Sequence, residues 1–84
     1  MNKFLITIIV PNIETQYEVY IPNNKKIGTI KKNILKSISE LSEGAFSKED
    51  REVRFIDRDT GIEYKSDIYV KDSGIKNGTV LVVI

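Results

Sequence analysis

The chain has 84 residues, 40% hydrophobic and 30% charged, with two prolines; this suits one small folded domain over residues 1–84 rather than a disordered segment. Thirteen basic residues against twelve acidic ones give a formal charge of +1, whereas a nucleic-acid-binding domain carries a strong basic excess, so nucleic acid is not an expected partner. The chain has no cysteine and no histidine, which excludes disulfides, thiolate iron–sulfur ligation, ordinary structural zinc sites, and Cys- or Ser–His-type nucleophiles; no cofactor is implied.

Lys3 precedes the apolar run Phe4 to Val10. The run is far too short to span a membrane, and Pro11-Asn12 closes it without the small-residue cleavage site of a signal peptide. Its β-branched residues predict a strand, and the expected location is cytoplasmic, with no membrane insertion. After the polar Pro11–Thr15 connection, Gln16 to Ile21 alternates, with Tyr17, Val19 and Ile21 on one face and Gln16, Glu18 and Tyr20 on the other. That period of two predicts a second strand, antiparallel to the first.

Past Pro22-Asn23-Asn24 the period changes. Ile27, Ile30, Ile34, Ile38 and Leu41 follow steps of three and four, the stripe of an amphipathic helix, with Leu35 at its edge. Gly44 suits the helix C-terminus, and Ser47-Lys-Glu-Asp50 suits the cap of one helical turn. Val53–Ile56 predicts a third strand, Asp59-Thr-Gly61 a turn, and Ile62–Lys65 a short return strand. Two further turns, Asp72-Ser-Gly74 and Lys76-Asn-Gly78, lead to a last strand over Thr79–Ile84. One helix must then cover one face of a sheet: a two-layer α+β fold whose sheet is mixed if the last strand joins the first.

This order resembles the ubiquitin-like β-grasp fold, one helix packed on a four- or five-stranded mixed sheet. Two segments, Lys26-Ile-Gly-Thr-Ile-Lys-Lys and Lys71-Asp-Ser-Gly-Ile-Lys-Asn-Gly-Thr-Val-Leu-Val-Val-Ile, resemble more closely the YukD-type proteins of Gram-positive type VII secretion systems. The resemblance implies a non-conjugated, cytosolic accessory component that binds other proteins, secretion-machinery subunits among them. Conjugated modifiers and sulfur carriers close with a flexible Gly-Gly tail, and the sequence given stops at Ile84 without one. A modifier or carrier lacking its tail, and a domain excised from a larger protein, stand as the alternatives.

The last strand is apolar at every position from Val80 to Ile84, although a strand covered on one side should alternate. Setting Val80, Val82 and Ile84 against the helix turns Leu81 and Val83 outward. In the first strand Phe4, Ile6 and Ile8 point inward, which leaves Leu5, Thr7 and Ile9 outside. Tyr20 and Ile56 join them by parity, and Arg54 supplies a polar anchor. Leu5, Ile9, Tyr20, Arg54, Ile56, Leu81 and Val83 thus form an expected partner-binding face, able to serve a homodimer equally. The plainer reading is ordinary strand formers shielded by lysine and arginine stems.

Lys25, Lys31, Lys32 and Lys36 outline a basic helix face, with Glu40 and Glu43 at the far end, against the preference of the helix dipole. A solvated lysine face is the plainer reading here. Asp57-Arg-Asp59-Thr-Gly61 fails the EF-hand pattern at Gly61, Ile62 and Ile68 and is expected to be a turn. Asn77-Gly78-Thr79 reads as a turn rather than a glycosylation site. The acidic pairs lie on polar loops where nothing would tune them for proton transfer, and no phosphate loop occurs, so no enzyme is expected.

Overall fold

The computed structural model describes residues 2–84. Strand β1 (Lys3–Val10) and strand β2 (Thr15–Pro22) form the expected antiparallel hairpin, paired along their whole length from Lys3–Pro22 to Val10–Thr15. Between them Pro11–Ile13 makes a 3-10 turn that ends on Glu14 with a φ of 51°. Helix α1 (Ile27–Leu41) follows, then strand β3 (Phe55–Asp57) and strand β4 (Val80–Val83). The sheet order is β2-β1-β4-β3, with β4 parallel to β1 and antiparallel to β3. This is the ubiquitin-like β-grasp arrangement, with four strands. Ile62–Lys65 does not form a further strand; it adds only the single bridge Ile56–Glu63 beside β3.

The helix buries Ile27, Ile30, Lys31, Ile34, Leu35 and Ile38 against Ile6, Ile8, Val10, Leu81, Val83 and Phe55 of the sheet. Two details depart from the expected stripe. Leu35, placed at its edge, is 3% exposed, whereas Leu41, placed within it, is 63% exposed. The polar side of the stripe is displaced because the Phe46–Val53 segment, with both those residues buried, covers the Leu35 flank.

Local chemistry explains both helix ends. At the start, the N–H groups of Ile27 and Gly28 donate to the carbonyls of Ile68 (2.8 Å) and Ser66 (2.9 Å). The loop backbone thus takes the place of a capping side chain. Gly28 suits that approach, since a Cβ there would lie 3.2 Å from both Cβ and O of Ser66, and the loop would have to give by a few tenths of an ångström to admit it. At the far end, Glu43 N–H donates to Glu40 O and Gly44 N–H to Ser39 O, a Schellman closure. Glu43, not a glycine, occupies the left-handed position at φ 55°, with Gly44 beside it at φ 83°. The expected single turn after the helix is present at Asp50–Glu52, capped by Glu49 and Glu52 rather than by Ser47.

Candidate functional site

The outer face of the sheet follows from the strand registers. In β1 Ile6, Ile8 and Val10 are buried against the helix, so Leu5, Thr7 and Ile9 point the other way. Residues opposite one another across a ladder share a face, and Thr7 lies opposite Val80, Ile9 opposite Val82, and Val82 opposite Ile56. Ile9, Val82 and Ile56 therefore make one apolar row across three strands, with Leu5 and Val80 alongside. All five are half-buried, and no helix lies over this face among the described residues. Tyr20, opposite Leu5, is 65% exposed and Ile84 is 51% exposed. Arg54 is exposed at the same side and pairs with Glu63 at 3.3 Å. An exposed pair of that kind contributes little stability, so the guanidinium is free to be recruited elsewhere.

The phase expected for the last strand is corrected. Leu81 and Val83 are 1% and 0% exposed and belong to the core; Val80, Val82 and Ile84 are the outward residues. The parallel register sets this by placing Leu81 opposite Ile8, which faces the helix. Gly78 N–H donating to Leu5 O and Thr7 N–H donating to Thr79 O lock that register. A strand apolar at both parities carries no signal of its own phase. Leu5, Ile9, Tyr20, Arg54 and Ile56 are brought together, and Val80, Val82 and Ile84 replace the two buried residues.

The four helix lysines are not brought together. Lys25 precedes the helix, where its carbonyl accepts from Val70 N–H. Lys31 is corrected from a solvated residue to a buried one at 8% exposure; its stem packs in the core and its Nζ lies 5.6 Å from the Phe55 ring centre. Lys32 and Lys36 share a shallow depression with Glu40, Glu49 and Asp50, so their charge is locally balanced.

The Asp57 loop is structural. Asp57 Oδ1 accepts the N–H groups of Asp59 (2.8 Å) and Thr60 (3.0 Å), and Oδ2 accepts the Tyr64 hydroxyl at 2.7 Å. The Tyr64 bond, with the two backbone donors, holds the Asp57 carboxyl below its ordinary range against the opposing effect of desolvation. Burial, and then Asp57 itself, pushes the Tyr64 phenol upward. No group of three or more potential metal ligands occurs among the described residues. Asn77 is likewise engaged, its Oδ1 accepting Leu5 N–H at 2.8 Å and so prolonging the β1–β4 pairing. No described helix is long and apolar enough to cross a membrane.

No family profile matches the chain and no curated protein matches its sequence significantly. Solved structures share its fold. The ubiquitin-like domain of the Mycobacterium tuberculosis type VII secretion system protein ECCD1 superimposes with a TM-score of 0.74 at 16% identity, covering 100% of this chain and 99% of that one. The ubiquitin-like domain of the Arabidopsis thaliana protein At2g32350 gives 0.74 at 18% identity, covering 100% and 78%. A chain of the MycP5-free ESX-5 inner membrane complex gives 0.78 at 16% identity, where this chain spans only 21% of its length. At these identities the likeness is one of fold.

Proposed function

We propose that this ubiquitin-like chain is a non-conjugated protein-interaction module, acting in the cytoplasm as an accessory component of a type VII secretion system. The observation that carries the reading is the Ile9–Val82–Ile56 row, an apolar stripe over three strands that the chain's own helix does not cover. Contiguous apolar surface rimmed by polar residues is characteristic of protein-binding faces, and Gln16, Glu18 and Arg54 supply that rim. The secretion assignment is supported by two resemblances: the Lys26–Lys32 and Lys71–Ile84 segments in sequence, and the end-to-end match in fold to the ECCD1 ubiquitin-like domain. The loop carboxylate with the most partners, Asp57, is engaged by Asp59, Thr60 and Tyr64 in holding its own turn, which is a structural role.

The test is affinity capture from source-cell lysate with tagged wild type beside Ile9→Asp and Ile56→Asp. Both changes place a carboxylate on the outer face and leave the core untouched. Recovery of secretion-machinery subunits by the wild type, and their loss with variants of unchanged melting temperature, is the expected result. Equal recovery by folded variants would remove the surface assignment, and recovery of no such subunit by any of the proteins would remove the secretion assignment.

A further inference from the structure

A second surface, separate from the outer face, lies along the free edge of β2. Asn23 N–H donates to Asn2 O at 2.7 Å, which makes Asn2–Asn23 a hydrogen-bonded pair. Alternation along the β1–β2 register then makes Phe4–Ile21, Ile6–Val19 and Ile8–Tyr17 hydrogen-bonded pairs as well. The backbone groups of Gln16, Glu18 and Tyr20 consequently turn away from β1. The β1 side agrees, since Leu5 and Thr7 donate in the opposite direction, to Asn77 Oδ1 and Thr79 O. The two sheet edges are treated differently. β3 is covered by its own chain, with Asp57 N–H donating to Ile62 O and Tyr64 N–H to Phe55 O. Among the described residues no segment covers the eight residues of β2, which carry no lysine, no proline before Pro22 and one charge, Glu18, whereas exposed edges are ordinarily blunted by such devices.

Beside that edge an apolar cleft of about 160 Å³ opens between β2 and α1, lined by Tyr17, Val19, Ile30, Ile34, Ile38 and Leu41 among others. The free backbone groups specify an extended strand as the occupant, and the cleft specifies apolar side chains on its inner face. The charges identify which strand. At the Pro22 end of the edge stand Lys3, opposite Pro22, and the exposed Lys25 and Lys26; at the Thr15 end stands the exposed Glu14. An antiparallel strand with the same sequence carries this asymmetry reversed.

We propose that β2 pairs antiparallel with β2 of a second copy of this chain about a two-fold axis, giving a continuous eight-stranded sheet. The register we choose pairs Glu18 with Tyr20 of the partner subunit and sets the two Val19 residues across the axis; Gln16 then falls opposite Pro22 of the partner subunit, whose carbonyl can accept from Gln16 N–H but which has no N–H to return. The alternative centred on Glu18 would oppose two like charges directly. In the chosen register Glu14 meets the Asn24–Lys25 turn of the other copy at both ends. The two clefts open toward each other. Leu41, which lines the cleft and is 63% exposed, is the apolar side chain most open to the other copy.

Sedimentation of the wild type across the micromolar-to-millimolar range tests this. The expected result is a concentration-dependent rise to twice the 9.6 kDa protomer mass, retained in Ile56→Asp and lost in Glu18→Pro, which removes a central edge donor. Glu14→Lys and Lys25→Glu should each weaken the dimer, more at low salt. Mixed one to one they should restore it as a heterodimer, because the reversed charges then meet opposite partners; this holds the proposal to account even if Glu18→Pro does not fold. A wild type monomeric at every concentration overturns the proposal and leaves the edge to an extended segment of a different protein. A dimer that survives in folded Glu18→Pro, or that only Ile56→Asp abolishes, or that the charge reversals neither weaken singly nor restore together, overturns it as well.

Discussion

Tyr64 donates its hydroxyl to Asp57 Oδ2 at 2.7 Å, tying the strip that covers β3 to the turn from which it emerges. The phenol is 9% exposed, so it needs a partner, and the carboxylate gains a third donor. Tyr64→Phe should cost about 1.5–3 kcal/mol, the range for one hydrogen bond to a charged group. The sign of its pH dependence follows from the two shifts. Asp57 is held below its ordinary 3.8, so its contribution is complete above that pH and is lost as pH falls through the lower folded value. Tyr64 is raised above 10.0, so its contribution is complete below pH 10.0 and fades as pH rises beyond it. Urea unfolding of wild type and Tyr64→Phe should show a constant difference near neutrality that narrows in strong acid and in strong base. A difference that grows in acid would contradict the assignment.

Adjacent residues of β4 should respond in opposite ways to truncation. Leu81→Ala removes a side chain that is 1% exposed in the core and should cost about 2–5 kcal/mol, the cavity-forming range. Val82→Ala, on the half-buried outer face, should cost about 1 kcal/mol or less. Equilibrium denaturation of the two variants decides the phase of the strand directly; the reverse ranking would place Val82 in the core.

Gly28 sits in the first turn of α1, where alanine would ordinarily gain about 1 kcal/mol of helix propensity. Here the added Cβ meets Cβ and O of Ser66 at 3.2 Å, and that oxygen is the acceptor for Gly28 N–H. Gly28→Ala should therefore give no increase in melting temperature, and Gly28→Val should lower it clearly. Stabilisation by the alanine would mean that the Ser66 loop yields without losing its bonds to the helix.

Glu43 presents the converse case. Its φ of 55° costs a non-glycine residue about 1–2 kcal/mol. Glu43→Gly should raise stability by about 0.5–1 kcal/mol after the added freedom of the unfolded chain is counted, a shift of roughly 2–8 °C in Tm for a domain of this size. Calorimetry of wild type and variant measures it, and an unchanged or lower Tm would show that the closure tolerates glutamate without strain.

The hairpin, the helix, the strand near Phe55 and the last strand were legible in the residues in that order, whereas Ile62–Lys65, which reads as a return strand, makes only the single bridge Ile56–Glu63. The period-two run at Gln16–Ile21 and the three-and-four spacing from Ile27 to Ile38 reflect local geometry, because pleat and helical repeat act on neighbouring residues. Asn77-Gly78 and Asp59-Thr-Gly61 likewise encode turns through their own backbone preferences. The absence of cysteine and histidine settled which site chemistries were unavailable. Tertiary structure alone decided which side of β4 faces the helix, since Val80–Ile84 is apolar throughout and its phase is imposed by pairing with β1 more than seventy positions earlier. It also decided that Lys31 is buried over Phe55 and that Leu41 is not covered, since both depend on what packs beside the helix. The free edge of β2 is of the same kind. A strand's own residues do not show whether a neighbour satisfies its second row of backbone groups; that depends on where the rest of the chain goes, and here the chain covers β3 and leaves β2 open.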